Sequence, residues 1–182
     1  SRDYRIELTK PMSSGFGLLS LVGGKWTTFT ALGEHLANEA MKLIRVTRKT
    51  STTELPIGGG RNFPKNDSER QSWLNTHSGD VGKERAQQLL DRYGTGAESL
   101  IAKIAERGET ILPGGEYSDI EIQHLVETES VSQLSDLVFR RTNIGFVGEF
   151  EKGLVDRLAS ISAEALGWKK SEQKSQLSSV SK

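Results

Sequence analysis

The sequence predicts a mainly α-helical protein, in which a small strand–turn–helix segment precedes an all-helical bundle of about five helices. The first observation is that patterns typical of strands occur only near the N-terminus. The second is that apolar residues recur three and four positions apart from Thr30 onwards, as on one face of a helix. The third is that a glycine follows several of these stretches, where a helix is expected to end.

Two strands and one helix make up the opening segment. Apolar and polar residues alternate in "SRDYRIELT", which predicts a strand over 3–9. The apolar run "LLSLV" predicts a second strand over 17–22, buried on both faces. The period then changes to that of a helix, which is expected over 27–45. The chain therefore passes from strand to Gly-Gly turn to helix.

The predicted bundle follows a connector that is rich in Thr, Gly, Pro and Lys and has no periodicity. Its helices are bounded by glycines and by residues that can cap a helix N-terminus. The expected helices are 67–76 capped by Asp67 or Ser68, 82–93 ending at Gly94, 97–107 ending at Gly108, one capped by Ser118 or Asp119, one around 134–138, and 149–166 closed by Gly167.

These elements divide the chain into four predicted regions. Residues 1–47 form the C-terminal end of one domain, 48–66 form the connector, and 67–168 form a helical C-terminal domain. Residues 169–182 are polar and low in complexity, which predicts a disordered tail. Because a predicted strand is already under way near the first residue, we expect the chain to be a fragment of a longer protein.

Composition excludes several classes of function. The chain has 182 residues, and 24 Lys and Arg match 24 Asp and Glu, so no net charge attracts it to nucleic acid. No apolar run approaches the ~18 residues that a membrane-spanning helix needs. The absence of cysteine rules out disulfides and thiolate-bound zinc or iron–sulfur clusters. Cysteine usage leaves the compartment undetermined, and a cytoplasmic protein is the simplest interpretation. No metal site is expected.

The stretch "GGKWTT" at 23–28 carries the chemistry that the sequence suggests. Paired glycines allow a flat ligand to approach the backbone closely. The free N–H groups at the start of the helix, its positive dipole end and the charge of Lys25 all favour an anionic partner. A phosphate or a reduced, anionic ring system would suit this arrangement. An ordinary tight turn into a helix explains the same residues equally well, because a lone glycine pair is a weak signal.

Six segments carry a resemblance to a known family. Three lie near the start, "SRDYRI", "GLLSLVGGKWTTF" and "GEHLANEA", and three follow, "LPIGGG", "RYGTGAESLIAKI" and "EIQHLVETESVSQLSDLVFRRTNIGF". Together they resemble the FAD-dependent glycerol-3-phosphate dehydrogenases of the quinone-linked, aerobic type. The later segments resemble the helical C-terminal domain of that family, with "RRTNIGF" as its signature. The resemblance runs from Ser1 to about Leu166 and covers the C-terminal third of such an enzyme. The glycine fingerprint that binds the nucleotide in this family is absent from this sequence.

The resemblance implies an enzyme that oxidises sn-glycerol 3-phosphate to dihydroxyacetone phosphate, with hydride transfer from C2 to flavin N5 and electrons passed to membrane quinone. Arg2 resembles the arginine that holds the substrate phosphate, a role that suits its fork of donors. Lys25 resembles the lysine close to both substrate and flavin. Five positions match the family's FAD contacts: Gly23, Gly24, Lys25, Thr27 and Thr28. The resemblance implies that the helix start stabilises the reduced flavin ring.

Other parts of the family pattern fall outside the sequence or depart from it. The general base would lie in the missing N-terminal FAD-binding domain, so no catalytic residue is assigned in this fragment, which is expected to be inactive alone. The family commonly has an arginine where this chain has Thr30, which puts a charge role there in doubt. Trp26 and Phe29 are expected to pack against the missing domain and to be exposed without it.

The remaining polar candidates have plainer interpretations. His35, His77 and His124 are scattered and have no partner at metal-ligand spacing, so solvated surface histidines are expected. Arg140 and Arg141 end a helix, where they either complement the helix dipole or anchor the helical domain onto the rest of the enzyme.

Two rival hypotheses remain open at the level of sequence. A glycerophosphate oxidase that passes electrons to oxygen would have the same fragment, since the acceptor site is not visible. A stand-alone helical interaction module from about Asp67, joined to a remnant strand–helix piece, is the alternative from another class. For the dehydrogenase, the resemblance implies a cytoplasmic protein, either free or peripherally bound to the inner face of the membrane.

Overall fold

A computed structural model describes residues 3–10, 17–148 and 152–180, with the side chain of Lys152 outside that description. The chain divides into two compact units, Ser1–Ile57 and Gly58–Lys182. The division falls inside the predicted connector 48–66. The predicted fold class is confirmed, since a two-stranded antiparallel sheet near the N-terminus is followed by helices.

The first unit, Ser1–Ile57, consists of a hairpin and one helix. Strands β1 (Tyr4–Thr9) and β2 (Leu18–Gly23) pair antiparallel, with Tyr4 opposite Gly23 and Thr9 opposite Leu18. A single 3₁₀ turn, Trp26–Thr28, leads into helix α1 (Phe29–Leu43). The predicted strands therefore agree with the observed ones to within one residue, and the predicted helix is about two residues too long at each end.

The hydrophobic core of this first unit is small. Leu32 is the one hydrophobic residue that is buried within the described part of Ser1–Ile57. The sheet leaves Leu8 and Leu18 exposed, contrary to the expectation that β2 is buried on both faces. A two-stranded sheet is marginally stable by itself, so this unit gains little stability from its own packing.

The second unit begins with the glycine-rich end of the connector. A 3₁₀ turn at Gly58–Gly60 packs against a matching turn at Gly94–Gly96. A Cβ on Gly59 would overlap the Tyr93 carbonyl oxygen, and one on Gly94 would overlap the Gly59 carbonyl oxygen. The Thr95 hydroxyl group contacts the Gly59 and Arg61 carbonyl oxygens at 3.0 and 2.6 Å. The two backbones thus cross in van der Waals contact.

Three helices form the first core of the second unit: α2 (Asp67–His77), α3 (Lys83–Tyr93) and α4 (Ala97–Arg107). Their apolar residues, including Trp73, Leu89 and Ile101, form one cluster. Gly94 and Gly108 end α3 and α4 with positive φ, as predicted. The prediction for the start of α2 was wrong by one residue, because Asn66 is the cap and its side-chain oxygen accepts from the Glu69 N–H at 2.9 Å.

The remaining helices surround a second core. They are α5 (Asp119–Thr128), α6 (Leu134–Asp136), which continues as a π-helical turn at Leu137–Arg141, α7 (Ile144–Val147), α8 (Lys152–Leu166) and α9 (Lys170–Val180). Ser118 is the cap of α5, in a reciprocal arrangement with Glu121. In the described part of the chain, helices α2 to α9 therefore outnumber the helices that the sequence predicts for the bundle.

Helix α9 occupies the region for which composition predicts a disordered tail. Val180 is buried, and Leu177, three positions before it, packs against the same core. The Gln176 side-chain oxygen accepts from the Leu134 N–H at 3.1 Å. One short apolar stripe therefore fixes a helix that is otherwise polar, and the expectation of disorder does not hold for Lys170–Val180.

Within the described residues, no helix has the length and apolar character to cross a membrane.

Candidate functional site

The glycine turn at Gly23 and Gly24 joins β2 to the helical segment of the first unit. Both residues have positive φ, +87° and +104°. A Cβ on Gly23 would overlap the Asp3 carbonyl oxygen, and one on Gly24 would lie 2.6 Å from Cδ1 of Leu32. The Gly24 N–H donates to the Asp3 carbonyl oxygen at 3.2 Å. The fold of the chain itself therefore requires both glycines.

Lys25 follows this turn in an extended conformation, with φ −116° and ψ 144°. Its carbonyl oxygen accepts from both the N–H and the hydroxyl group of Thr28, each at 3.1 Å. Its side chain is exposed, and among the described residues its ammonium group has no ion pair or hydrogen bond. The backbone of Lys25 is thus fixed, while its charge remains available.

The start of α1 has the character expected of an anion-accepting helix end. Neither the Trp26–Thr28 turn nor α1 has a side-chain cap, and neither has an acidic residue in its first turn. Thr27 is exposed, whereas the hydroxyl group of Thr28 is already used by Lys25. The partial positive charge of the free N–H groups is therefore not offset by a carboxylate in the first turn.

Two aromatic rings stand beside this helix start. Trp26 is 91% exposed and Phe29 is 53% exposed. Their ring centroids lie 6.3 Å apart with an interplanar angle of 34°. Both rings are exposed in the described structure, while their packing against another domain stays a prediction.

Of the two substrate-binding residues inferred from the resemblance, Lys25 is described and Arg2 lies outside the described residues. Their joint role at the substrate therefore stays a prediction. Thr30 is exposed on the first turn of α1 and carries no charge.

The three histidines have ring partners, which the sequence did not predict. His35 is hydrogen-bonded through Nδ1 to the Tyr4 hydroxyl group at 2.8 Å. His77 stacks on Trp73, with centroids 4.6 Å apart. His124 meets Tyr93 edge to face, and burial together with the nearby Lys103 lowers the pKa of its imidazole. No group of side chains suited to a metal ion occurs among the described residues.

A buried carboxylate in the second unit is the main polar feature that sequence reasoning missed. Glu121 is fully buried, and it accepts from Arg85, from Arg92 at 2.5 Å and from the Tyr93 hydroxyl group at 3.0 Å. Arg85 also pairs with Glu109 at 2.8 Å. These contacts join α3, α5 and the loop between α4 and α5, so Glu121 acts as a structural centre of the helical unit.

The charges of this cluster stabilise one another. Burial opposes the charge of Arg85, but hydrogen bonds to Glu109 and Glu121 outweigh it and raise the pKa of the guanidinium group. Burial and the Glu121 carboxylate raise the pKa of the Tyr93 phenol. The sequence signal was the spacing of seven residues between Arg85 and Arg92, which places both on one face of α3.

The two adjacent arginines of "RRTNIGF" are both bonded within the helical unit. Arg140 donates to the Asp136 carboxylate at 2.6 Å, and Arg141 donates to the Glu129 carbonyl oxygen at 2.6 Å. The Arg141 contact is with the carbonyl oxygen of Glu129, the C-cap residue of α5, and not with the end of the helix that the two arginines terminate.

The structure therefore comprises a helical second unit, Gly58–Lys182, and a first unit, Ser1–Ile57, whose helix start has neither a side-chain cap nor a carboxylate in its first turn. The chain belongs to the family described as the C-terminal domain of alpha-glycerophosphate oxidase, whose model matches residues 50–173. The resemblance to glycerol-3-phosphate dehydrogenases is confirmed by curated relatives of low identity.

Three of these relatives illustrate the extent of the match. The chain is 26% identical over 170 residues to a probable mitochondrial glycerol-3-phosphate dehydrogenase of Dictyostelium discoideum, covering 88% of this chain and 25% of that protein. It is 28% identical over 134 residues to glycerol-3-phosphate dehydrogenase of Synechocystis sp., covering 71% and 24%. It is 25% identical over 193 residues to a mitochondrial glycerol-3-phosphate dehydrogenase of Arabidopsis thaliana, covering 97% and 30%. The chain thus spans between 24% and 30% of the length of these relatives.

Proposed function

We propose that this chain is the C-terminal part of a flavoenzyme that oxidises sn-glycerol 3-phosphate to dihydroxyacetone phosphate and passes the electrons to quinone. The observation that carries the proposal is the exposed Lys25, held by its backbone at a helix start that lacks a cap and a carboxylate. The names of the curated relatives support the substrate. The proposal assigns to this chain a part of the site and not the whole of it.

The residues at the glycine turn are chemically suited to bind the edge of an FAD ring that becomes anionic on reduction. The free N–H groups of the helix start, the Lys25 ammonium group and the exposed Thr27 hydroxyl group offer donors and positive charge on one short segment. When bound, FAD would supply the acceptor for the two electrons of the C2–H bond. Gly23, Gly24 and Thr28 would act indirectly, because their contacts are with the chain itself.

Lys25 and Arg2 would contact different parts of the substrate. Arg2 would hold the phosphate by paired hydrogen bonds, and Lys25 would place a positive charge near the reacting carbon and the cofactor edge. The chain offers no assigned general base, so proton removal from the C2 hydroxyl group is proposed to be done by a residue of the preceding polypeptide. The fragment alone is accordingly proposed to be inactive.

An oxidase is the second candidate, and one observation favours it. The family model that matches the chain is named after alpha-glycerophosphate oxidase, whereas the relatives are named dehydrogenases. The two activities differ in the acceptor, which is oxygen in one case and, in our proposal, quinone in the other. A quinone-linked enzyme would work in the cytoplasm or on the inner face of the membrane, and an oxidase would need no membrane contact.

One experiment tests both candidates. The whole polypeptide that carries this chain is purified with its flavin, and oxidation of glycerol 3-phosphate is followed with a soluble quinone analogue under argon and with oxygen in air. Reduction of the quinone analogue with little hydrogen peroxide supports the dehydrogenase. Stoichiometric hydrogen peroxide supports the oxidase. A protein that holds no flavin and oxidises no glycerol 3-phosphate contradicts both.

A further inference from the structure

Exposed apolar side chains of the helical unit are concentrated in one turn, residues 139–147. Phe146 is 82% exposed, Val147 is 52% exposed and Phe139 is 41% exposed. The other large apolar residues that are exposed in the described part of the unit are single and scattered: Phe63, Ile111 and Leu166. We call residues 139–147 the apolar turn.

The apolar turn is held in place by packing and hydrogen bonds. A Cβ on Gly145 would lie 2.5 Å from the Phe139 ring, so this ring rests against the residue immediately before Phe146. The Phe146 N–H donates to the Asn143 carbonyl oxygen at 2.8 Å. Phe146 is therefore presented from a fixed backbone.

Asn143 ties this turn to the rest of the unit. Its side-chain oxygen accepts from the Tyr117 hydroxyl group at 3.0 Å, and its amide donates to the Glu116 carboxylate at 2.9 Å. Arg92 lies over the Tyr117 ring, 4.1 Å from its centroid, and also binds the buried Glu121. A continuous set of contacts thus runs from the buried carboxylate to the exposed turn.

We propose that the apolar turn docks the helical domain onto the part of the polypeptide that precedes this chain in the intact protein. Phe146 is the central contact, and the partner surface is an apolar pocket on that preceding part. The inference rests on the proposed function only in that the chain belongs to a longer polypeptide. The sequence suggested that Arg140 or Arg141 anchors the helical domain, but both arginines have partners within the unit. We therefore assign the anchoring contact to the apolar side chains of the same turn.

The length of chain outside the structure favours this occupant. The matched relatives are about four times as long as the aligned segment, which is 25% of the Dictyostelium protein, and the family is a C-terminal domain. Most of the polypeptide is therefore available to cover the turn. A covalent link also raises the effective concentration of the two surfaces, so that a patch of three side chains is sufficient for an intramolecular contact.

Two other occupants fit the observations less well. A stable dimer buries roughly 800 Å² on each partner, which three side chains do not provide. A lipid surface is attracted by cations free to face it, whereas the guanidinium groups of Arg140 and Arg141 are bonded to Asp136 and to the Glu129 carbonyl oxygen.

Photocrosslinking in the whole polypeptide tests the proposal. The photoreactive residue p-benzoylphenylalanine is introduced by Phe146→p-benzoylphenylalanine, which keeps an aromatic ring at the position. A matched control carries the same group at Glu106, on the exposed polar face of α4. After irradiation, crosslinked peptides are identified by mass spectrometry, and intramolecular products are separated by size from products between chains.

We expect position 146 to give an intramolecular crosslink to residues that precede this chain, with at least a fivefold higher yield than position 106. Crosslinks between chains at position 146 would overturn the proposal in favour of self-association. Equal yields at both positions, or crosslinks to added phosphatidylglycerol vesicles alone, would also overturn it. Because the readout does not depend on catalysis, the docking can be supported even if glycerol 3-phosphate proves not to be the substrate.

Discussion

Gly24 and Leu32 lie so close together that a Cβ on the glycine would be 2.6 Å from Cδ1 of the leucine. Leu32 is the buried hydrophobic residue of the first unit in the part that the structure describes. The φ of Gly24 is +104°, a conformation that other residues rarely adopt. The contact with Leu32 and the positive φ each favour glycine at this position, whether or not a ligand binds there.

Gly24→Ala is expected to destabilise the first unit by about 1–3 kcal/mol, through overpacking against Leu32 and backbone strain. The measurement is hydrogen exchange of residues 18–43 in the whole, flavin-free protein. Gly33→Ala is the matched control: it lies inside α1 with nothing within 4 Å of its Cβ position, and it should be neutral or slightly stabilising. Unchanged exchange in Gly24→Ala together with lost flavin binding would show that the ligand, and not the fold, requires this glycine.

Lys25→Ala is expected to keep the flavin but to slow its reduction and to make its reduction potential more negative. The reason is the loss of a positive charge beside a group that becomes anionic on reduction. Flavin content is measured by absorbance and the potential by redox titration. Lys25→Arg should retain most of the potential, and Lys49→Ala, an exposed connector residue, should change nothing. Equal potentials in all three variants would place Lys25 away from the flavin.

Glu121→Gln is expected to lower the free energy of unfolding of the helical unit by about 3–5 kcal/mol, because it leaves two guanidinium groups without their buried carboxylate. Urea unfolding followed by circular dichroism measures the effect. Glu127→Gln is the control, since its exposed pair with Lys103 at 3.5 Å should contribute at most about 1 kcal/mol. Similar losses in the two variants would mean that Glu121 contributes no more than a surface charge.

His124 is expected to make the stability of the helical unit depend on pH. Burial, then the charge of Lys103, lowers the pKa of its imidazole below its ordinary value of 6.5. The unfolded chain therefore binds more protons than the folded chain as the pH falls below about 6.5, so stability is lost with acidification in this range and is fully present above it. Unfolding midpoints between pH 5 and 8 measure this dependence.

Two histidine variants separate this contribution from that of the other groups. His124→Gln should flatten the dependence between pH 5 and about 6.5, because it removes the proton uptake of this imidazole. His77→Gln is the control for the loss of a histidine as such, because its ring stacks on Trp73 and not against Tyr93. An unaltered slope in His124→Gln would assign the effect to another group.

Local signals were sufficient to predict most element boundaries. Gly94 and Gly108 end their helices, and Ser118 begins one, because each of these residues acts on backbone groups within a few positions of itself. The glycine turn was also placed correctly. Its cause could not be predicted, because Gly24 is constrained by a side chain eight residues further along the chain.

Long-range partners explain what the sequence did not predict. Arg85 and Glu121 are 36 residues apart, and the spacing of Arg85 and Arg92 on α3 does not indicate which carboxylate they bind. Helix α9 depends on contacts of Gln176 and Val180 with distant residues, so its polar composition pointed to disorder. The roles of Arg2 and Lys25 stay predictions, since they depend on a cofactor and a substrate.

The crossing of Gly59 and Gly94 has a consequence for where the chain can be cut. Three consecutive glycines would ordinarily mark the point of the connector most open to a protease. Here the middle glycine, Gly59, packs directly against the backbone of Tyr93 and Gly94. The Arg61 carbonyl oxygen accepts a hydrogen bond from the Thr95 hydroxyl group. Brief trypsin digestion should therefore spare the bond after Arg61 and cleave after Lys49, so that the glycines stay with the helical fragment.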